Sequence, residues 1–152
     1  MKLPPGLRLS VEDAPSRADR ELLNDALLAF NRDHLPAPEV ARIGLFVRDG
    51  EGGIMAGLYG FAYGRWFYID SLWVAEPLRR GGIGRALVAE AEAWASGQHC
   101  HSAWVDTFSF QAPQFYAKLG YETFATLDYP PRHSRHFLRK SLPALPGRAA
   151  LT

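Results

Sequence analysis

Arg79-Arg80-Gly81-Gly82-Ile83-Gly84-Arg85 sets arginines and glycines where the apolar run Leu72-Trp73-Val74 has stopped at Pro77 and a helical pattern begins. A helix start carries unpaired backbone N–H groups and the positive end of the helix dipole. Glycines let the backbone close on an anion, and arginines add charge on the spot, so the segment can hold a pyrophosphate. Two common phosphate loops do not fit. A Walker loop needs a Lys-Ser or Lys-Thr after its glycines, and a dinucleotide fingerprint needs a third glycine where Leu87 stands. What remains is Arg79-x-x-Gly82-x-Gly84, with a solvated helix cap as the plain alternative.

A second segment, Phe115-Tyr116-Ala117-Lys118-Leu119-Gly120-Tyr121-Glu122, follows at a distance that leaves room for one helix and one strand. The two segments together resemble the acyl-CoA pyrophosphate loop and the Lys-Leu-Gly-aromatic helix end of the GNAT superfamily of N-acetyltransferases. The resemblance runs from about Leu7 to Leu142. It implies an α+β fold: a mixed, mostly antiparallel sheet of about seven strands flanked by helices, its fourth and fifth strands parallel and splayed. Acetyl-CoA would lie in that splay. The free backbone groups of Leu72, Trp73 and Val74 would bond its pantetheine arm and thioester oxygen. Arg79, Arg80, Gly81, Gly82, Ile83, Gly84 and Arg85 would hold the pyrophosphate. Ser109 stands where the family often has an asparagine that contacts the cofactor.

Attack of an amine on a thioester moves two protons. The leaving thiol has a pKa near ~8.5 and tyrosine near ~10, so a tyrosine is protonated at neutral pH and able to donate as sulfur leaves. The resemblance gives that role to Tyr116; the alternative is a core aromatic beside Phe115. Keeping a lysine-like amine of pKa ~10.4 neutral at pH 7 costs roughly 4.6 kcal/mol, so a base or a water chain is expected. Asp70 is the first candidate, placed by strict alternation on one strand face with Tyr68 and Leu72. Burial would have to raise its pKa for that task. The alternative reading is a substrate-orienting or structural carboxylate. His133, in the loop Pro130-Pro131-Arg132-His133, is a second candidate.

Tyr59, Phe61 and Tyr63 share a strand face that Tyr68 could continue, and Phe108 and Phe110 precede the Tyr116 helix. Tyr59, Tyr63, Tyr68, Phe108 and His133 are therefore candidate contacts for the acceptor, in a pocket suited to a flat or apolar amine or a ring-stacked cation. Core packing is the competing reading for the same aromatics. The pairs His99-x-His101 and His133-x-x-His136 have no matching cysteine or carboxylate cluster, so no metal site is expected.

Elements that position these groups can be read from periodicity. Leu7, Leu9 and Val11 alternate as a first strand. Ser16 is an N-cap for a helix from about Arg17 to Asp33, with Leu22, Leu23, Ala26, Leu27 and Phe30 at helical spacing. Further strands run through Ile43–Val47, Ile54–Tyr63 and Trp66–Ala75, joined by turns at Asp49–Gly53 and Gly64-Arg65. Gly57 and Gly60 mark close backbone approach on the middle one. A helix from Ile83 to about Gly97, a strand from Ala103 to Phe108, a helix begun by Pro113, and strands at Tyr121–Leu127 and Arg135–Leu142 complete the pattern.

The chain has 152 residues, 47% of them hydrophobic and 22% charged, which suits one domain with a respectable core. One domain over 1–152 is expected, its core at about 7–142 and its tail from Pro143 frayed. A net charge of +1 gives no reason to expect nucleic acid or an anionic membrane as partner. Cys100 is the only cysteine and excludes an intramolecular disulfide; with no apolar signal core, a cytoplasmic location is expected. The resemblance implies an acetyl-CoA-dependent N-acetyltransferase that transfers the acetyl group directly to a primary amine in a ternary complex; a small-molecule or peptide amine is the expected acceptor, and a homodimer is allowed. A non-enzymatic acyl-CoA sensor is the alternative function: it would need the arginine loop but neither Tyr116 nor Asp70.

Overall fold

The computed structural model describes residues 3–144, and its contacts divide the chain into two compact units, Met1–Pro38 and Glu39–Thr152. The tail expected from Pro143 lies outside the described residues from 145 onward.

The first unit carries helix α1 (Arg17–Asn31). Its start is closed as the sequence predicts: the Asp19 N–H donates to Ser16 Oγ at 3.0 Å, and the Ser16 hydroxyl donates to the Asp19 carboxylate at 2.6 Å. Leu7, Leu9 and Val11 correct the expectation of a strand, since residues 7–12 form none. Alternation names the face that a strand would bury, but a strand exists only where a second backbone meets its N–H and C=O groups.

The second unit holds a six-stranded sheet built from β1 (Ala41–Arg48), β2 (Ile54–Tyr63), β3 (Trp66–Val74), β4 (Ser102–Phe108), β5 (Glu122–Tyr129) and β6 (His133–Ser141). Among the described residues there are six strands where about seven were expected, and the strand numbers implied by the resemblance shift down by one. The spatial order is β1-β2-β3-β4-β6-β5. Every pairing is antiparallel except β3 with β4. Helix α2 (Ile83–Gly97) supplies the crossover that this parallel pair requires, and the short α3 (Pro113–Lys118) leads from β4 toward β5.

The core lies between α2 and the sheet. Leu58, Phe67, Ile69, Leu138 and Val88 are its largest fully buried side chains, each worth roughly 1.5–3 kcal/mol of transfer free energy. Ala91 and Ala95 on α2 face Ala56 and Ala103 on the strands within the same cluster, so the helix can lie close. Trp94 closes the side, edge-on to Phe67 at 5.8 Å.

Two irregularities shape the site. The first is a β-bulge. The β2–β3 register steps from Tyr59↔Ser71 to Gly60↔Ile69, leaving Asp70 as the extra residue. Phe67 and Ile69 face the core before it, and Leu72 and Val74 pack there after it. Strict alternation therefore fails at Asp70: Leu72 lies on the core face and Tyr68 on the other. A Cβ on Gly60 would stand 2.5 Å from the Tyr68 carbonyl oxygen, so only glycine admits this approach of the strands. The second irregularity is the early end of the parallel pair. It runs from Trp66↔Ser102 to Ile69↔Val105 and stops, although both strands continue.

Candidate active site

Beyond Ile69 and Val105 the two strands part, and the edge of β3 from Asp70 to Val74 has no strand against it on that side. The gap is a cleft of about 1180 Å³. It is lined by both parted strands, by the loop entering α2, by the β4–α3 loop and by α3.

At one end stands the arginine loop. A single 3₁₀ turn (Glu76–Leu78) follows β3, then Arg80 and Gly82 adopt left-handed conformations with φ of 66° and 85°. Gly82 is the N-cap of α2 and caps it with no side chain. The first intrahelical bond runs from the Ala86 N–H to the Gly82 carbonyl at 3.0 Å. The N–H groups of Ile83, Gly84 and Arg85 are thus the helix's open donors. Arg79, Arg80 and Arg85 line the same end. Arg79 is partly committed, because its Nε donates to the Val74 carbonyl at 3.0 Å. Gly84 matters for packing: a Cβ there would come within 3.3 Å of the Phe115 ring. Left-handed loop, open helix donors and three cations make a cationic, donor-rich hollow, and these residues fit the pyrophosphate of the cofactor that the resemblance implies.

Tyr116 lines the cleft and is 5% exposed. Phe115 at 5.1 Å and Tyr121 at 5.7 Å hold its ring edge-on. Burial, helped by the negative charge of Asp106, pushes its pKa up to about 12. Tyr121 is pinned in turn: its hydroxyl donates to Glu92 on α2 at 2.9 Å, and Lys140 on β6 donates to the same carboxylate at 2.7 Å.

Two carboxylates line the cleft. Asp70 is exposed at the bulge, its Oδ2 accepting from the Ser71 hydroxyl at 3.1 Å. Asp106 was not among the residues expected from sequence. Its side chain is 12% exposed, its Oδ1 accepts from the Tyr68 hydroxyl at 2.8 Å, and its Oδ2 accepts from Arg135 Nε at 2.7 Å. Burial, with that hydrogen bond and the charges of Asp106 and Asp70, raises the Tyr68 pKa. No local pattern marks Asp106, whose partners are 38 residues before it and 29 after it.

The expected substrate contacts separate. Tyr68 reaches the cleft through Asp106 and stacks on Trp104 at 4.0 Å. Tyr59 and Tyr63 share the sheet face opposite the core, as alternation predicts, but neither lines the cleft. Phe108 and His133 sit beside Phe110, which does line it. Ser109 lies outside the cleft: its hydroxyl accepts from the Ser134 N–H at 3.2 Å, and its own N–H donates to the Ser134 carbonyl. It ties the end of β4 to β6. Cys100 is buried away from the site, and burial raises its thiol pKa. Among the described residues no cluster of three or more His, Cys, Asp or Glu could hold a metal, and no helix is long and apolar enough to cross a membrane.

The two sides of β4 differ. Val105 and Thr107 are buried on one face, Val105 within the core cluster that includes α2, whereas Trp104, Asp106 and Phe108 alternate onto the opposite face. The arginine loop and Tyr116 belong to elements on the helix side. The parted strands therefore join an anion cradle on one side with a carboxylate and aromatic rings on the other.

A family model described as the acetyltransferase (GNAT) family matches residues 10–121. The blasticidin-S acetyltransferase of Streptomyces morookaense is 43% identical over 96 residues, which are 61% of this chain and 71% of that protein. An acetyltransferase of Agrobacterium fabrum is 26% identical over 117 residues, or 77% of this chain and 85% of its own length. The crystal structure of an acetyltransferase from Bacillus cereus superposes with a TM-score of 0.73 at 34% identity, covering 88% of this chain and 98% of the other.

Proposed function

Because the chain belongs to the GNAT family of acetyltransferases, we propose that it transfers the acetyl group of acetyl-CoA to a primary amine by direct attack, with both substrates held across the parted strands. Bound acetyl-CoA supplies an activated thioester. The observation that carries the reading is the meeting of opposite charges in one cleft: Arg79, Arg80 and Arg85 at one end, Asp70 and Asp106 toward the parted strands, Tyr116 also lining it.

Arg80, Arg85 and the backbone from Gly82 to Arg85 hold the pyrophosphate. Arg79 contributes what its bond to Val74 leaves free. The unpaired edge of β3 offers N–H groups to the thioester oxygen; removing one such donor costs comparable enzymes about two to three orders of magnitude in rate. Tyr116 donates a hydrogen bond to the departing sulfur. Its pKa, about 12, lies ~3.5 units above that of a thiol, so full transfer would cost roughly 5 kcal/mol. Stabilising the thiolate by a retained hydrogen bond is the economical role. Asp70 is exposed at the bulge and so lacks the burial a base would need; it draws in the ammonium, whose proton leaves through water, while Asp106, bonded to Tyr68 and Arg135, fixes the wall of the cleft beside it.

The acceptor is a small molecule or peptide amine, and the relative named for blasticidin S makes that compound the first to try. The experiment is acetyl-CoA-dependent thiol release from the full chain across an amine panel, with a no-acceptor blank. Release above blank with intersecting double-reciprocal lines supports direct transfer. Parallel lines together with acetyl-labelled enzyme would overturn it, and silence across the panel would remove the small-molecule acceptor.

A further inference from the structure

We infer that Phe110 is the platform on which a planar, π-bearing part of the acceptor stacks, so that the preferred substrate is an amine carried on a flat ring. This rests on the transferase reading for what the amine undergoes, but the platform stands on its own geometry. Phe110 is 62% exposed and lines the same cleft as Asp70 and Asp106. A lone exposed phenylalanine needs no explanation; this one is built into a frame. Its inner neighbour Phe108 lies nearly parallel, 13° between planes and 5.2 Å between centroids. Phe108 also carries the Arg135 guanidinium at 5.4 Å and takes Tyr129 edge-on at 5.0 Å. His133 meets the Phe110 ring edge-on at 4.8 Å.

The loop beneath it is clamped. Gln111 N–H donates to the Phe108 carbonyl, the Phe108 N–H donates to Gln111 Oε1 at 2.8 Å, and the Ser109 N–H donates to Ser134. A ring so fixed loses little freedom when a second ring covers it, which is what makes an exposed aromatic useful for recognition. Asp70, exposed in the same cleft, supplies the complement to the ammonium of such an acceptor, whereas Asp106 is paired with Arg135. Stacking supplies the preference for a flat body, because offset or edge-on ring pairs add to simple area burial.

The test compares 2-phenylethylamine with 2-cyclohexylethylamine, which match in size and amine chemistry and differ in the π face. Their binding to the full chain is measured calorimetrically in the presence of CoA, and thiol release with acetyl-CoA is measured alongside. The aryl amine is expected to bind about tenfold tighter, and Phe110→Leu to bring the ratio close to one. Phe46→Leu, on an exposed aromatic of β1 outside the cleft, should leave the ratio as it is. Equal binding of the two amines, absence of binding by either, or a preference that survives Phe110→Leu overturns the platform. An aryl preference in binding without thiol release from any amine upholds the platform and overturns the transferase reading of the cleft.

Discussion

Tyr116 and Asp106 show how far a residue's role depends on its neighbours. A free tyrosine would sit within ~1.5 units of a thiol, but burial and the Asp106 charge carry Tyr116 to about 12. Its proton therefore stays in place throughout the pH range in which the enzyme can be assayed. Tyr116→Phe is expected to lower kcat by about 10²-fold with little change in acetyl-CoA affinity, and to leave the shape of the pH profile below 11 intact. The linkage has a definite sign. Unfolded chains ionise this tyrosine from pH ~10, the folded protein only near 12, so stability is lost as pH rises through that interval. Denaturant titrations between those limits should show a shallower loss in Tyr116→Phe. Asp106→Asn deletes the negative charge that raises both Tyr68 and Tyr116. The late part of the ultraviolet tyrosinate titration should then move to lower pH than in the parent, and an unchanged late part would show that burial alone sets these groups.

At the scale of elements, the strand–loop–helix junction of β3 and α2 is legible in the sequence. Its determinants are local: a glycine in the left-handed region at Gly82, unpaired helix N–H groups, and arginines in sequence. Gly82→Ala forces an L-residue into that region at about 1–2 kcal/mol and tilts the open donors of the cradle. The expected result is an acetyl-CoA KM raised by about tenfold, that strain converted at 1.4 kcal/mol per decade, with kcat affected less. An unchanged KM would place the pyrophosphate elsewhere. The bulge at Asp70 was not legible: alternation put Asp70 on one face with Tyr68 and Leu72, and Gly57 and Gly60 marked only a weakened strand or a close approach. Whether a glycine weakens a strand or admits a neighbour depends on what stands opposite. Here that neighbour is the Tyr68 carbonyl.

For the whole molecule, the sheet core decides whether the cleft exists at all. Leu138, 1% exposed, belongs to the same buried cluster as Ile69, Val105 and Val88. Leu138→Ala should cost about 2–5 kcal/mol in denaturant unfolding, and a loss under 1 kcal/mol would mean that the site collapses around the missing atoms. We propose that the chain acts as a single catalytic domain, since every residue assigned to the cleft lies after Pro38. What the amino-acid order determined unaided is whatever local backbone chemistry decides: the Ser16 cap of α1, the turn at Gly64-Arg65, and the glycine-and-arginine entry to α2. Tertiary structure alone decided the rest. It withheld a partner from Leu7–Val11, turned Leu72 to the core at a bulge, and drew Ser109 into a bond with Ser134. It also set β4 between β3 and β6, so that Asp106 meets Tyr68 and Arg135. Strand order is a global minimum of packing and hydrogen bonding, and no window of sequence contains the residues that it brings together.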